Sequence, residues 1–379
     1  MNSQLFHFSR KKGYFWLALL TLTAFSALVF TVIFQFLLNR QMDFVRAEHT
    51  TVLNSANAII SSRLGDIRHS TQTAVAHMND ILEVSISSSL EQAMIRAGEG
   101  IELKSQIRWV SGEGQELARI NYYNGKPYPV HKTALQTKAA RYYIKAAQQY
   151  PRGAVYLSPI DLNVEFGMVV APYDPTLRAV YVGDPAAPPG AGLFIVNFPL
   201  NQIFTLLTTL NTNETQLLIG SGDEKWIFHP EPERLWAPDL GLDEANFRHD
   251  YPDIWASMQN VQAVSLKTSG EHSLISSVSL TLNTEVETNI TTLYLLALTP
   301  PHYLEAMYAK AGIPAILIAL SVWAIGLAII IRESRNRLKL VALSKELAHE
   351  RDELVHVLSR EKELQAQLTH AENMASLGM

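Results

Sequence analysis

Two stretches of this chain carry no charged residue over a length that matches a lipid bilayer. The first runs from Gly13 to Asn39 (GYFWLALLTLTAFSALVFTVIFQFLLN), between Lys12 and Arg40. The second runs from Ala311 to Ile331 (AGIPAILIALSVWAIGLAIII), between Lys310 and Arg332. At 1.5 Å of rise per residue, each helix would cross roughly 30 Å of hydrocarbon. The first apolar run is too long for a signal-peptide core, and no small-x-small cleavage pattern follows it. Both are therefore expected to be transmembrane helices in contact with lipid.

Flanking charge sets the expected orientation. Arg10, Lys11 and Lys12 precede the first span, and Arg332, Arg335, Arg337 and Lys339 follow the second, against Lys310 before it. Basic residues stay inside, so both termini are expected in the cytoplasm and residues 40–310 outside. The mild net charge of −5 argues against a nucleic-acid partner. With no cysteine, disulfides and thiolate metal sites are excluded. The histidines are scattered without HxxxH or HExxH spacing, so no metal is expected.

The outer segment reads as a long helix followed by two α+β units. Val45, Val52, Ala56, Ile59, Leu64, Ile67, Val75, Met78 and Leu82 recur at helical steps, which predicts a helix over 40–105. A membrane-distal unit follows over 106–200. Within it, SQIRWVSGEGQELARINYYNGKPYPV reads as strand–turn–strand–turn–strand, Ala134–Gln149 as a helix, and Gly192–Leu200 as an apolar closing strand. A short helix, NQIFTLLTTL, leads to a membrane-proximal unit over 210–300. Its hairpin is TQLLIGSGDEKWIFH, with further strands expected near Ala263–Leu266, Ser273–Leu280 and Thr291–Leu298.

The cytoplasmic segment 332–379 is strongly periodic. With Leu340 at heptad position a, the a positions continue through Leu347, Leu354, Glu361, Leu368 and Ala375. Leu343, Glu350, Val357, Leu364 and Ala371 fall at d. Nine of these eleven are apolar, which predicts a homodimeric coiled coil.

Two motifs carry a resemblance to known families. LQAQLTHAENMASLGM (Leu364–Met379) resembles the helix leading into the phosphoacceptor segment of sensor histidine kinases, matching at Leu368, Ala371, Glu372, Met374, Ala375, Ser376, Leu377 and Gly378, with Asn373 in place of the usual lysine. RYYIKAAQQYPRGAVYLSPIDLNVEFG (Arg141–Gly167) resembles the ligand-binding segment of double Cache sensor domains. That match lies at Arg141, Tyr142, Tyr143, Tyr156, Ser158, Pro159, Asp161, Leu162, Asn163 and Glu165, and at Arg178 in APYDPTLR.

The resemblance implies an α+β membrane protein. Two transmembrane helices would flank a double Cache (tandem PAS-like) sensor, followed by a coiled coil, in a bacterial inner membrane. It implies a two-component sensor that reaches a response regulator through a kinase module outside this chain, which stops before the phosphoacceptor histidine. Two alternatives stay open: a chemoreceptor or cyclic-dinucleotide enzyme, and a stand-alone regulatory membrane protein. Arg332–Leu377 has no proline or glycine break of the kind a HAMP-like linker carries, which counts against the first alternative.

The implied ligand site consists of Arg141, Tyr143, Tyr156, Asp161, Asn163 and Arg178, with Arg119 a further candidate. Arginine offers a bidentate fork to a ligand carboxylate, aspartate receives an ammonium group, and tyrosines wall the pocket. A small organic acid or amino acid is the expected ligand. Arg141 paired with Asp161 as a structural ion pair is the competing expectation. No catalytic constellation and no cofactor motif occurs, because GEG at 112–114 lacks the spacing of a phosphate loop.

Overall fold

A computed structural model describes residues 2–84, 89–165, 168–169, 173–242, 246–258, 267–269, 273–283 and 291–376. The chain divides into two compact units, Met1–Arg40 with Tyr308–Met379, and Gln41–Met307.

In the first unit, helix α1 (Asn2–Val84) contributes its N-terminal portion and helix α7 (Pro301–Ser376) most of its length. Both are long and apolar enough to cross a membrane. Small and hydroxyl-bearing residues line their contact. Ser26 Oγ donates to the Ala319 carbonyl at 2.6 Å, and Trp323 Nε1 donates to Thr23 Oγ1 at 3.3 Å. A Cβ at Gly326 would collide with the Leu22 side chain, so glycine permits the close approach. Leu17, Leu20, Phe25, Leu28 and Phe36 on one helix, and Leu317, Leu320, Ile325 and Ile329 on the other, point outward. Beyond the apolar stretch, the heptad residues Leu340, Leu343, Leu347, Leu354, Val357 and Leu364 are all exposed on the single chain.

In the second unit, the remainder of α1 forms a stalk. Leu53, Ala56, Ile67, Val75 and Met78 are fully buried against the sheets, while Ile59, Leu64 and Leu82 pack beside them partly buried. The helix does not run through to residue 105. It ends at Val84, and α2 (Leu90–Gly98) starts anew, with Ser89 Oγ accepting the Gln92 N–H at 3.2 Å. A capping serine closes the orphan donors of a fresh N-terminus, which apolar periodicity alone does not report.

Two antiparallel sheets follow. The larger, seven-stranded sheet contains β1 (Gln106–Ser111), β2 (Glu116–Tyr123), β3 (Lys126–Pro129), β4 (Val155–Leu157), β5 (Asp161–Leu162), β8 (Pro175–Val182) and β9 (Gly192–Pro199). Their order is β3-β2-β1-β9-β8-β4, with β5 pairing to β8. Strands β6 (Val164–Glu165) and β7 (Met168–Val169) form a separate hairpin. After α4 (Asn201–Thr208) comes the five-stranded sheet of β10 (Gln216–Ser221), β11 (Trp226–Phe228), β12 (Lys267–Ser269), β13 (Ser273–Thr281) and β14 (Thr292–Thr299). Its order is β11-β10-β14-β13-β12, with α5 (Phe247–Asp250) and α6 (Pro252–Met258) between β11 and β12. The strand expected at 263–266 lies outside the described residues.

Strand alternation divides the larger sheet into two faces. Ile107, Trp109, Ala118, Ile120, Leu157, Leu177, Ala179, Phe194 and Val196 join the core shared with the stalk and the second sheet. The opposite face puts Val110, Tyr156, Val180, Leu193 and Ile195 under α3 (Tyr142–Ala147), which supplies Tyr143, Ile144 and Ala147.

The helix expected over Ala134–Gln149 is much shorter. Lys132–Ala134 is a single 3-10 turn, and the α-helix begins only at Tyr142. Between them the backbone docks onto the β1–β2 turn. Glu116 N–H donates to the Gln136 carbonyl at 3.1 Å, and Lys138 N–H to the Gly114 carbonyl at 2.7 Å. Gly114 has φ +89, and a Cβ there would meet the Ala139 backbone at 2.5 Å, so this crossing depends on glycine. These tertiary bonds outweigh a helix propensity worth only tenths of a kcal/mol per residue, on the order of the usual scale.

Candidate functional site

Arg178 sits in the middle of β8, opposite Asn197 on β9. Alternation sends its side chain to the α3 face, where it is 2% exposed. Buried guanidinium needs a counter-charge, and β5 supplies it: Asp161 lies across from Thr176 on the same strand, and its Oδ1 accepts from Arg178 Nη1. Burial alone would lower the pKa of Arg178. The Asp161 carboxylate, together with Tyr142 and Tyr143, more than offsets this, so its pKa is raised.

Helix α3 lays two tyrosines over this pair. The Arg178 guanidinium carbon is 5.1 Å from the centroid of the buried Tyr143 ring, and that of Arg141, at the N-cap of α3, is 5.6 Å from the same ring. Tyr142 donates its hydroxyl to Asp161 Oδ2 at 2.5 Å and meets Tyr143 edge-on at 5.5 Å. The body of Tyr142 is partly exposed, but its hydroxyl end is enclosed. Burial, then the Asp161 charge, push its pKa far above the ordinary tyrosine value. Tyr156, buried on β4, has its ring centroid 5.1 Å from that of Tyr150 in a tilted contact, and burial drives its pKa up to about 12.

Ser158 locks β4 to the arginine strand. Its N–H donates to the Arg178 carbonyl at 2.9 Å, its Oγ accepts the Arg178 N–H at 3.0 Å, and its hydroxyl donates to the Pro159 carbonyl at 2.7 Å. Asn163 is half-buried between β5 and β6.

The structure therefore brings Arg178, Asp161, Tyr143 and Arg141 together, with Tyr156 on the same face. Asp161 pairs with Arg178 and not with Arg141. The reason is register: β5 and β8 are antiparallel neighbours, whereas Arg141 is anchored to the start of α3. Tyr142 and Ser158 stand within the Cache-like motif, yet sequence reasoning did not place them in the site. Their backbone adjacency to Tyr143 and Pro159 gave no sign of which way each would point.

Arg119 belongs elsewhere. It joins a buried triad in which Glu116 Oε1 lies 2.9 Å from Arg108 Nε and Glu116 Oε2 lies 3.2 Å from Arg119 Nη1. Glu116 Oε2 also accepts the Gln136 N–H at 2.9 Å, and Arg119 Nη2 donates to the Ala134 carbonyl at 3.2 Å. This triad holds the 134–138 crossing to the sheet. Among the described residues, no group of three or more His, Asp or Glu side chains is placed to hold a metal ion.

A profile of the bacterial histidine kinase sensor domain matches residues 39–290, about two thirds of the chain. No curated protein sequence matches. Among solved structures, a domain of a protein described as of the sensory box/GGDEF family from Vibrio parahaemolyticus superposes with TM-score 0.50 at 21% identity, covering 66% of this chain and 97% of that one. The periplasmic sensory domain of the Campylobacter jejuni chemoreceptor Tlp1 gives TM-score 0.48 at 9% identity, covering 70% and 97%. The ligand-binding domain of the Pseudomonas fluorescens chemoreceptor CtaA in complex with L-isoleucine gives TM-score 0.43 at 10% identity, covering 73% and 98%. Two of its helices are long and apolar enough to cross a membrane, and the chain belongs to the family of bacterial histidine kinase sensor domains.

Proposed function

We propose that the protein is a membrane sensor of the double Cache type. In this reading it binds a small organic acid or amino acid outside the cell and signals through a homodimer to a histidine kinase module and its response regulator. The observation that carries the reading is the buried Arg178–Asp161 pair roofed by Tyr142 and Tyr143. A guanidinium that is desolvated but held by strand geometry is pre-organised for a carboxylate, and Asp161 can exchange its partner for a ligand ammonium group. Arg141 adds a second cation at the helix start, Tyr156 forms an apolar wall, and Asn163 offers an amide at the loop.

Both termini then lie in the cytoplasm, in keeping with the basic residues flanking the spans. The exposed heptad stripe of α7 pairs with a second copy, because a row of leucines on a solvated helix is otherwise unfavourable. Ligand binding selects one of two arrangements of the dimer, by no more than its differential affinity for them.

The test is a calorimetric titration of the full chain in lipid nanodiscs with a panel of L-amino acids and short organic acids. Saturable binding, lost in Arg141→Ala and in Arg178→Ala, is the expected result. A compound bound equally well by both variants would move the site elsewhere.

A further inference from the structure

The edge strand beside this site is held by an unusual side-chain pairing. At the end of β4, backbone alternation turns Ser158, the residue after the strand, inward to Arg178 and leaves the N–H and C=O of Leu157 facing the open edge of the sheet. Asn283, 1% exposed and just beyond β13 of the other sheet, covers them. Its Oδ1 accepts the Leu157 N–H at 3.0 Å, and its Nδ2 donates to the Leu157 carbonyl at 2.7 Å. One amide side chain thus makes the two bonds that a neighbouring strand residue would make.

Arg68, half-buried on the stalk portion of α1, completes the node. Its Nη1 donates to the Val155 carbonyl at 2.8 Å, and its Nη2 donates to the Leu282 carbonyl and, at 3.3 Å, to Asn283 Oδ1. The stalk helix, the edge of the first sheet and the end of β13 therefore share one buried set of hydrogen bonds. Leu157 lies between Tyr156 on β4 and Ser158 just past its end, both of which face the candidate site.

We propose that Asn283 and Arg68 form a coupling joint: they position β4 for the Arg178–Asp161 site and pass changes at that site to the second sheet and the stalk helix. The inference rests on the reading of that site given under Proposed function. Chemistry restricts the joint to these residue types. Asn283 must donate and accept at once, so an aspartate would set a carboxylate oxygen against the Leu157 carbonyl. Arg68 must reach three carbonyl-type acceptors from one planar fork, which a lysine ammonium does not span in the same geometry.

Hydrogen exchange on the full chain in nanodiscs tests the joint without any ligand. Asp161→Asn weakens the site pair and is expected to speed exchange of residues 175–180. If the joint transmits, it also speeds residues 278–283 and 64–71, about tenfold, although neither segment touches Asp161. In Arg68→Lys, or in Asn283→Ser, the local effect of Asp161→Asn persists and the distant effect vanishes. Exchange changes confined to the first sheet in Asp161→Asn, with Arg68 and Asn283 intact, would overturn the proposal. Because the comparison of wild type with Asp161→Asn needs no alteration of the joint, a poorly folding joint variant does not block the test. A failed ligand titration would count against the site reading, whereas a confined exchange pattern counts against the joint alone.

Discussion

His49 Nε2, on the stalk helix, lies 2.8 Å from Thr299 Oγ1 at the end of β14, and its Nδ1 lies 2.9 Å from Ser276 Oγ on β13. The ring is fully buried, and burial lowers its pKa to about 4 from an ordinary 6.5. The folded protein therefore holds this histidine neutral, while the unfolded chain takes up a proton as pH falls through 6.5. Stability is lost from about pH 6.5 down to about pH 4, by about 2 kcal/mol between pH 7 and pH 5. Urea unfolding of wild type and His49→Gln at the two pH values checks this. The variant should show a pH-dependent loss smaller by that amount. The difference also separates His49 from its neighbour Glu48, whose carboxyl pKa burial raises, an effect that favours the folded state as pH falls. Equal pH slopes in the two proteins would refute the assignment.

Removing one partner of a buried ion pair strands the other. Arg178→Met should destabilise the folded state by about 3 kcal/mol, because Asp161 loses its counter-charge beneath Tyr142. The double variant Arg178→Met/Asp161→Asn should recover part of that loss. A thermodynamic cycle from chemical denaturation decides the point, and strictly additive costs would mean the two side chains do not interact.

The Glu116 triad makes a prediction about local opening. With Glu116→Ala, the 134–138 crossing loses the acceptor for Gln136 N–H, and two buried guanidinium groups face each other. Trypsin cleavage after Lys138, buried in the native fold, should speed about tenfold or more, following the population of the locally open form. Cleavage at the wild-type rate would show that the triad does not anchor this segment.

Much of the local structure was legible because it follows short-range rules. The apolar runs, the hairpin of β1 and β2 around GEG, and the hairpin of β10 and β11 each announce themselves through composition or period. Arg178 and Asp161 were legible only as candidates for a common site. Their mutual pairing was not, since it depends on β5 lying beside β8, a relationship written in no stretch of sequence. The fresh helix start at Leu90 and the unwound 135–141 segment were likewise hidden: a serine cap at Ser89 and a docking contact to Gly114 decide them.

The amino-acid order by itself determined which segments seek lipid, which seek a core and which helix face carries the leucines, because transfer free energy and backbone period act residue by residue. Only tertiary structure decided that Asn283 would serve as a strand residue for Leu157 and that Asp161 would answer Arg178 and not Arg141. Those choices depend on which buried donors and acceptors come within about 3 Å of one another once the chain is closed.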